Sequence, residues 1–192
     1  MEENRAHGPL ATVEEWLELD EDDTRELVDG RLEEGEVPTS VHELGISCLI
    51  HTLRVWLGQH GFVFGSGLKL VLAVRTGRMP DLVVVLPGHK PPPPRGPLRE
   101  PPDIVVEFVS PSPRDERRDR VQKMAEYARF GVPYYWIVDP ALRTFEIFAR
   151  SSAGYTQVAA ATDSSIDPVP GCDGLELDVS ALWADLERLG SE

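Results

Sequence analysis

Short apolar runs and one long amphipathic stretch predict a chain that mixes strands with helices. Runs at 62–64, 68–74 and 79–86 have the lengths of strands, and the last is almost wholly apolar, which predicts a central strand. Residues 40–59 instead carry apolar side chains at helical spacing. The residues of this predicted buried helix face are His42, Ile46, Leu49, Leu53 and Trp56.

Capping and turn residues predict where the other elements begin and end. Thr12 with Glu15, and Ser40 with Glu43, match the capping box, in which a hydroxyl and a carboxylate bond the first backbone N–H groups of a helix. Asp29-Gly30 is a two-residue hairpin signal. The remaining predictions are a helix over 13–19, a glycine-containing turn at 75–78, a hairpin of strands 144–149 and 155–160, and a last helix that Ser180 caps and that runs to about residue 189.

The stretch 102–140 predicts a strand, a helix and a second strand. An apolar run over 103–109 carries one acid, Glu107. Ser112 caps a charged helix that ends at Gly131, and a second apolar run follows over 134–138. Strand, helix and strand in this order form a βαβ unit with two parallel strands, largely buried. A carboxylate inside such a strand needs a partner or a metal ion.

Length and composition predict one domain. A chain of 192 residues with 41% hydrophobic and 27% charged residues fits a single globular domain, which we place at 12–189 behind a frayed N-terminus at 1–11. Residues 87–102 contain eight prolines in sixteen positions, which predicts an extended surface loop inside this domain.

Charge, hydropathy and cysteine content limit the cellular compartments and the binding partners that we expect. No apolar run is long enough to cross a membrane, no signal-peptide pattern is present, and two cysteines form no disulfide framework, so we expect a cytoplasmic protein. The net charge of −14 argues against broad attraction to nucleic acid. Residues 1–36 hold 14 acids against three arginines, so any polyanion site would be local, on the charged helix of the βαβ unit.

Two acids in apolar strands are the candidates for chemistry. Asp81 opens the strand after Pro80, and Glu107 lies 26 residues further along. Adjacent strands would bring the two carboxylates together, where a hard divalent cation such as Mg²⁺ would neutralise them. Lys123 on the next helix would stabilise negative charge, and this combination suits the in-line hydrolysis of a phosphodiester.

Structural roles for the same residues stay open at this point. Asp81 would be satisfied by backbone N–H groups at a strand entry, and Glu107 by an ion pair with Arg75 or Arg78. Lys123 would pair with Asp119 four residues earlier on a helix face. His42 would be a packed or capping residue in the first turn of its helix.

Several segments in order resemble the Uma-two (Uma2) family of bacterial restriction-endonuclease-like proteins, within the PD-(D/E)XK nuclease superfamily. The resemblance covers roughly residues 12–187. It rests on Pro80-Asp81, Glu107-Phe-Val-Ser-Pro-Ser112, Lys123 with Tyr127, and Gly131-Val-Pro-Tyr-Tyr-Trp-Ile-Val-Asp-Pro140, and also on Glu26-Leu-Val-Asp-Gly-Arg-Leu32 and the His42 helix.

The resemblance implies a restriction-endonuclease-like mixed α/β sheet flanked by helices, and a Mg²⁺ or Mn²⁺ site. Asp81 and Glu107 would be the metal ligands together with the backbone carbonyl of Phe108. The superfamily's lysine would fall at Val109, and the family pattern moves it to Lys123, with Gln122 a weaker alternative. His42, with Glu43 as the alternative, matches the polar helical position that completes the site.

The hypothesis that follows is a metal-dependent DNA endonuclease with catalytic residues Asp81, Glu107, Lys123 and His42. Arginines of the charged helix would meet the phosphate backbone, namely Arg114, Arg117, Arg118 and Arg120. The alternative is an interaction or regulatory module with a vestigial site, which the acidic N-terminal segment favours, and a third hypothesis is cleavage of RNA or of single-stranded or damaged DNA. Double-strand cleavage would suit a homodimer with one site per strand.

Overall fold

The computed structural model describes residues 10–20, 22–35, 38–110, 112 and 116–190. The helices are α1 (Val13–Leu17), α2 (Ser40–Leu57), α3, which is π-helical over Arg118–Lys123 and α-helical over Met124–Phe130, and α4 (Val179–Glu187), which a 3-10 turn at Arg188–Gly190 follows. The strands are β1 (Glu26–Val28), β2 (Arg31–Glu33), β3 (Phe62–Phe64), β4 (Leu70–Ala73), β5 (Thr76–Arg78), β6 (Leu82–Val85), β7 (Ile104–Phe108), β8 (Tyr134–Asp139), β9 (Thr144–Ser151), β10 (Gly154–Ala161), β11 (Ser165–Ile166) and β12 (Leu177–Asp178).

A six-stranded sheet in the order β10-β9-β8-β7-β6-β3 is the centre of the fold. Strands β7 and β8 run parallel, with Ile104 beside Tyr134 and Phe108 beside Val138, and the other neighbours are antiparallel. The parallel pair joined by α3 is the βαβ unit expected from residues 102–140. The predicted mixed sheet flanked by helices is therefore confirmed.

The two faces of this sheet are buried by different helices, because successive side chains of a strand point to opposite faces. On one face, Leu82 and Val106 belong to a core cluster that contains the inward side chains of α2 and α4. On the other face, Val83 and Val105 pack in a cluster with Tyr127 of α3. Glu107 follows Val105 by two positions, so its carboxylate points to the α3 face.

A second sheet has four strands in the order β2-β1-β5-β4, and α1 packs against it through Val13 and Trp16. The expected turn at 75–78 is wrong, since Thr76–Arg78 forms β5 between β1 and β4. The indole of the buried Trp16 lies against β5 at Gly77, where an added Cβ would come within 2.2 Å of the ring. The glycine that suggested a turn is therefore needed for close packing.

The helix caps are partly as expected. Thr12 and Glu15 form the capping box of α1, and the Asp29-Gly30 turn has the positive φ angles of 49° and 81° that its hairpin type requires. Two other caps are wrong by one or two residues. Thr39, whose hydroxyl accepts from the His42 N–H at 3.2 Å, caps α2 instead of Ser40. The last helix is likewise capped by an earlier residue than Ser180, namely Asp178.

The proposed domain limits stay a prediction, and most of the segment 1–11 lies outside the described residues. The proline-rich loop contributes no helix or strand, although Leu98 forms one bridge to Leu70. Among the described residues, no helix is both long enough and apolar enough to cross a bilayer.

Candidate active site

Asp81 and Glu107 lie opposite each other on neighbouring strands. The antiparallel register of β6 and β7 pairs Leu82 with Val106, and one step further it places Asp81 across from Glu107. Side chains paired in this way share a face of the sheet, with their Cβ atoms about 5 Å apart. Asp81 also accepts a 2.7 Å hydrogen bond from the Phe108 N–H through Oδ2. Both acids line one cavity of about 220 Å³.

Glu107 is fully buried and both of its carboxylate oxygens accept hydrogen bonds from α3. Lys123 Nζ lies 2.8 Å from Oε2, and the Tyr127 hydroxyl lies 2.7 Å from Oε1. Glu107 therefore pairs with Lys123 and not with Arg75 or Arg78, and Arg78 instead contacts Glu26 and Glu126. The two donors lie four residues apart, on successive turns of α3, so the helix fixes the plane of the carboxylate.

The π-helical turn at the start of α3 brings a second acid to Lys123. Asp119 Oδ1 lies 3.0 Å from Lys123 Nζ, and both side chains are buried. The Tyr135 hydroxyl donates to the backbone carbonyl of Asp119 at 3.1 Å, which ties the turn to β8. The alternative pair of Lys123 with Asp119 is thus present, and Lys123 bonds Glu107 as well. Single π-helical turns occur often at functional sites.

His42 reaches the same cavity from the first turn of α2. Its Nε2 lies 3.2 Å from Asp81 Oδ1, and its Nδ1 lies 3.3 Å from Glu43 Oε1. Burial opposes the charged ring, but the hydrogen bonds to Asp81 and Glu43 outweigh burial and raise the pKa of His42 to about 9. The ring packs edge-on against Phe108 at 5.9 Å between centroids, so its orientation is fixed from two sides.

A buried ionic network of Glu26, Arg78 and Glu126 adjoins the site cavity, and the sequence did not predict it. Arg78 of β5 is fully buried and contacts Glu26 through Nη1 at 2.7 Å and Glu126 through Nε at 2.7 Å. Glu26 also accepts from the Met79 N–H at 2.9 Å and lines the site cavity. The sequence signals for Glu26 are its place at the start of a short apolar run and in the segment 26–32 that resembles the family. The network joins the small sheet to α3, one turn beyond Lys123.

Three other acids, Asp81, Asp119 and Glu26, lie near Glu107, and Lys123 is the cation that contacts it. Burial raises the pKa of Glu107 well above its usual value; Lys123 opposes the rise, and Asp81 and Asp119 add to it. Burial works against the charge on Lys123, but Glu107 and Asp119 raise its pKa well above the usual range. Lys123 is therefore a cation held among carboxylates, and those carboxylates still repel one another. A further cation beside Asp81 and Glu107 would relieve this repulsion.

The donor set fits a hard divalent cation with an incomplete protein shell. Among the described residues, no three His, Cys, Asp or Glu side chains form a metal-binding group. Two carboxylates on adjacent strands, supplemented by water and a carbonyl, match the way Mg²⁺ is usually bound. The metal role of the Phe108 carbonyl stays a prediction.

The four arginines expected to meet phosphate groups are not gathered on one face. Arg114 lies outside the described residues. Arg117 is exposed, whereas Arg118 is buried and lines the site cavity. Arg120 bonds Asp139 at 3.2 Å and also Glu146, so carboxylates already compensate its charge. Of the three described arginines of this set, Arg118 is the one that lines the site cavity, and its contact with phosphate stays a prediction.

The family assignment rests on a match over most of the chain. The model of the Uma2 family, described as "Putative restriction endonuclease", matches residues 11–180. The chain belongs to the Uma2 family. The match includes all the residues that line the Asp81–Glu107 cavity, so the resemblance seen in the motifs is confirmed. A search of the curated proteins finds no match for this Uma2-family chain.

A solved structure shows the same fold. The chain is similar to a "putative nuclease belonging to DUF820" from Anabaena variabilis, with a TM-score of 0.74 and 19% sequence identity. The similarity covers 91% of this chain and 98% of the other. This Uma2-family chain therefore has a nuclease fold of the restriction-endonuclease type.

Proposed function

We propose that this protein is a Mg²⁺- or Mn²⁺-dependent endonuclease that hydrolyses phosphodiester bonds in DNA. The observation that carries the proposal is the pair Asp81 and Glu107 on adjacent strands, with Lys123 Nζ 2.8 Å from Glu107. Family membership supports the reaction class. When bound between these carboxylates, a divalent cation would lower the pKa of a water molecule and offset charge on the phosphate.

Each protein group has a separate task in this proposal. Asp81 and Glu107 would hold the cation, and Lys123 would donate to the attacking water or to a phosphate oxygen through its ammonium group. Tyr127 and Phe108 orient the two carboxylates by the hydrogen bonds that they donate. Groups held in this way need no reorganisation during the reaction.

His42 is suited to donating a hydrogen bond rather than to accepting a proton. Because Asp81 and Glu43 favour the charged ring and each already contacts one of its nitrogens, the imidazolium would place a positive charge beside the cavity. In the proposed reaction this charge would help to stabilise the phosphate. This assigns catalytic support to His42 without making it the general base.

Lys123→Ala is the variant that tests the proposed function. We expect cleavage to fall by about 10²-fold or more, since the variant loses a charged donor beside the scissile phosphate. The assay compares supercoiled, linear and single-stranded DNA and RNA at millimolar Mg²⁺, which also tests the preference for DNA. Lys90→Ala is the control, because Lys90 is exposed and pairs with Glu100 in the proline-rich loop. Full activity in Lys123→Ala would refute the assignment of this lysine.

Tyr127→Phe is expected to weaken cation binding about 5- to 10-fold while leaving the fold intact. The substitution removes the donor to Glu107 Oε1 but keeps the ring that packs on Tyr135 at 5.4 Å. Outer hydrogen bonds of this kind typically change metal affinity by about tenfold. Calorimetric titration with Mn²⁺ measures the change, and Tyr155→Phe, which loses a bond to the Val132 carbonyl, is the control. Equal Mn²⁺ affinity in Tyr127→Phe and wild type would show that this bond does not position Glu107.

A non-catalytic interaction module on the same fold is the second candidate. It is favoured by the two hydrogen bonds that already occupy Glu107 and by the carboxylates that compensate Arg120. The net charge of −14 also opposes association with DNA. Absence of cleavage from all four nucleic acids, in Mg²⁺ and in Mn²⁺, would favour this candidate.

A further inference from the structure

A second cavity of about 370 Å³ adjoins the candidate active site, and His42 lines both. Its other walls come from the N-terminal end of α2 and from the residues that follow β7 and β8. These wall residues are Thr39, Val41, Val109, Ser110, Pro140 and Ala141.

We propose that this cavity, the base pocket, binds the nucleobase of an unstacked nucleotide next to the scissile phosphate. The inference rests on the proposed function, since it assigns the phosphate to the adjoining site. It adds a substrate class, namely single strands or duplexes from which one nucleotide is turned out.

The walls of the base pocket suit a flat, weakly polar group. Val41, Val109, Pro140 and Ala141 are apolar, and apart from His42 the described wall residues carry no charge. Its volume is within the range of roughly 300–1,000 Å³ that is usual for ligand pockets. Apart from His42, a phosphate or a metal ion would find no charged partner among the described wall residues, whereas the faces of a nucleobase gain from apolar contact.

Thr39 and Ser110 bring hydroxyl groups to the base pocket, and the Thr39 hydroxyl can bond the edge of a base. The Thr39 hydroxyl accepts from the His42 N–H at 3.2 Å, and its own hydrogen is a donor directed by rotation about the C–O bond. Thr39 is exposed at the mouth of the base pocket. A base that enters the pocket would therefore meet apolar walls and the Thr39 hydroxyl at its edge.

Val109 connects the base pocket with the departure of this chain from the superfamily pattern. The superfamily's lysine would fall at Val109, and here the ammonium group beside Glu107 comes from Lys123 on α3. Val109 is 5% exposed, packs in the cluster that contains Val105 and Tyr127, and also lines the base pocket. This position therefore adds no charge to the lining of the base pocket.

The position of the base pocket restricts the substrate. It opens beside His42, at the ends of β7 and β8. The His42 side chain lies between the base pocket and Asp81, one of the acids that would hold the cation. A base that remains stacked and paired in a duplex cannot enter a separate cavity. Cleavage should therefore be faster on single strands, where unstacking costs less.

Nucleotide binding tests the base pocket without any turnover. We expect wild type to bind dAMP about tenfold more tightly than deoxyribose 5-phosphate, because contact of a base with side-chain surfaces is worth about that factor. Ala141→Phe fills the pocket from an exposed position and should reduce the difference to about twofold. Leu142→Phe is the control, since Leu142 is the next residue and is 61% exposed. Equal binding of the two ligands by wild type, or an unchanged difference in Ala141→Phe, would overturn the proposal.

Cleavage separates failure of the base pocket from failure of the proposed function. After the cleaved phosphate of a single-stranded oligonucleotide is mapped, substrates with and without the neighbouring base are compared on wild type and Ala141→Phe. Removing the base from the substrate and filling the pocket with Ala141→Phe should each lower kcat/KM about tenfold. The two changes together should also lower it only about tenfold, because both remove the same contact. Fully multiplicative effects would overturn the base pocket while leaving the nuclease proposal intact. Nucleotide binding with no cleavage of any substrate would overturn the nuclease and retain the pocket.

Discussion

Glu107→Gln is expected to lower kcat/KM for DNA cleavage by about 10³-fold or more. Glutamine keeps the shape of the side chain, and its carbonyl oxygen can still accept one hydrogen bond from Lys123 or Tyr127. The variant lacks the negative charge that would bind the cation opposite Asp81. A large loss of activity with little loss of stability is therefore the signature of a functional acid.

Initial rates at several Mg²⁺ concentrations measure this effect, because a weakened site would need more metal before it shows any activity. Glu100→Gln is the matched control, since Glu100 is an exposed acid of the proline-rich loop whose partner is Lys90. Its rate should equal that of wild type within twofold. A Glu107→Gln protein that cleaves DNA at the wild-type rate would remove Glu107 from the mechanism.

Arg78→Met is expected to lower the free energy of unfolding by about 3–5 kcal/mol. Arg78 is fully buried, and its guanidinium compensates Glu26 and Glu126 with bonds of 2.7 Å. Methionine would fill much of the space but leave two acids without their partner. Urea denaturation at pH 7 measures the loss, and Arg129→Met, an exposed arginine of α3, should change stability by less than about 0.5 kcal/mol.

The pH dependence of this loss identifies its cause. Burial raises the pKa of Glu26, but Lys123 and Arg78 outweigh it and the net pKa is lowered. Such a group stabilises the fold above its unfolded pKa, and the contribution is lost as the pH falls through the folded value. In Arg78→Met the pKa of Glu26 should rise, so Glu26 should become protonated and lose its uncompensated charge as the pH falls. The difference in free energy of unfolding between wild type and Arg78→Met should therefore become smaller below about pH 5. The loss of stability in Arg78→Met would be a packing defect instead if it did not change with pH. The same conclusion would follow if adding Glu26→Gln to Arg78→Met did not reduce the loss.

The fold was largely predictable because its main signals are local. The capping box at Thr12 and Glu15 and the positive φ angles at Asp29-Gly30 depend on residues within one turn, and both are found. Gly77 was misassigned because the reason for a glycine there is the distant Trp16 ring. Similarly, Thr39 and Ser40 are both good caps by composition, and only the extended backbone of Thr39 decides between them.

The sequence predicts which residues form the candidate site better than it predicts the contacts between them. Asp81 and Glu107 stood out as acids in apolar strands, but the register that places them face to face is a long-range property. The reach of Lys123 depends on how α3 crosses the sheet, which helical periodicity does not specify. Glu26 and Arg78 could not be paired from the sequence, because they are 52 residues apart on strands whose adjacency is set by the whole small sheet.

Metal-dependent unfolding is the most direct test of the central claim that Asp81 and Glu107 form a cation site. Thermal and urea unfolding of wild type are followed during titration with Mg²⁺ or Mn²⁺, beside the Asp81→Asn/Glu107→Gln double variant. Stabilisation should grow as RT ln(1 + [L]/Kd), reaching about 2.7 kcal/mol at one hundred times Kd, and the double variant should show no such increase. A wild-type protein that gains no stability at millimolar metal, or a double variant that gains as much, would contradict the account.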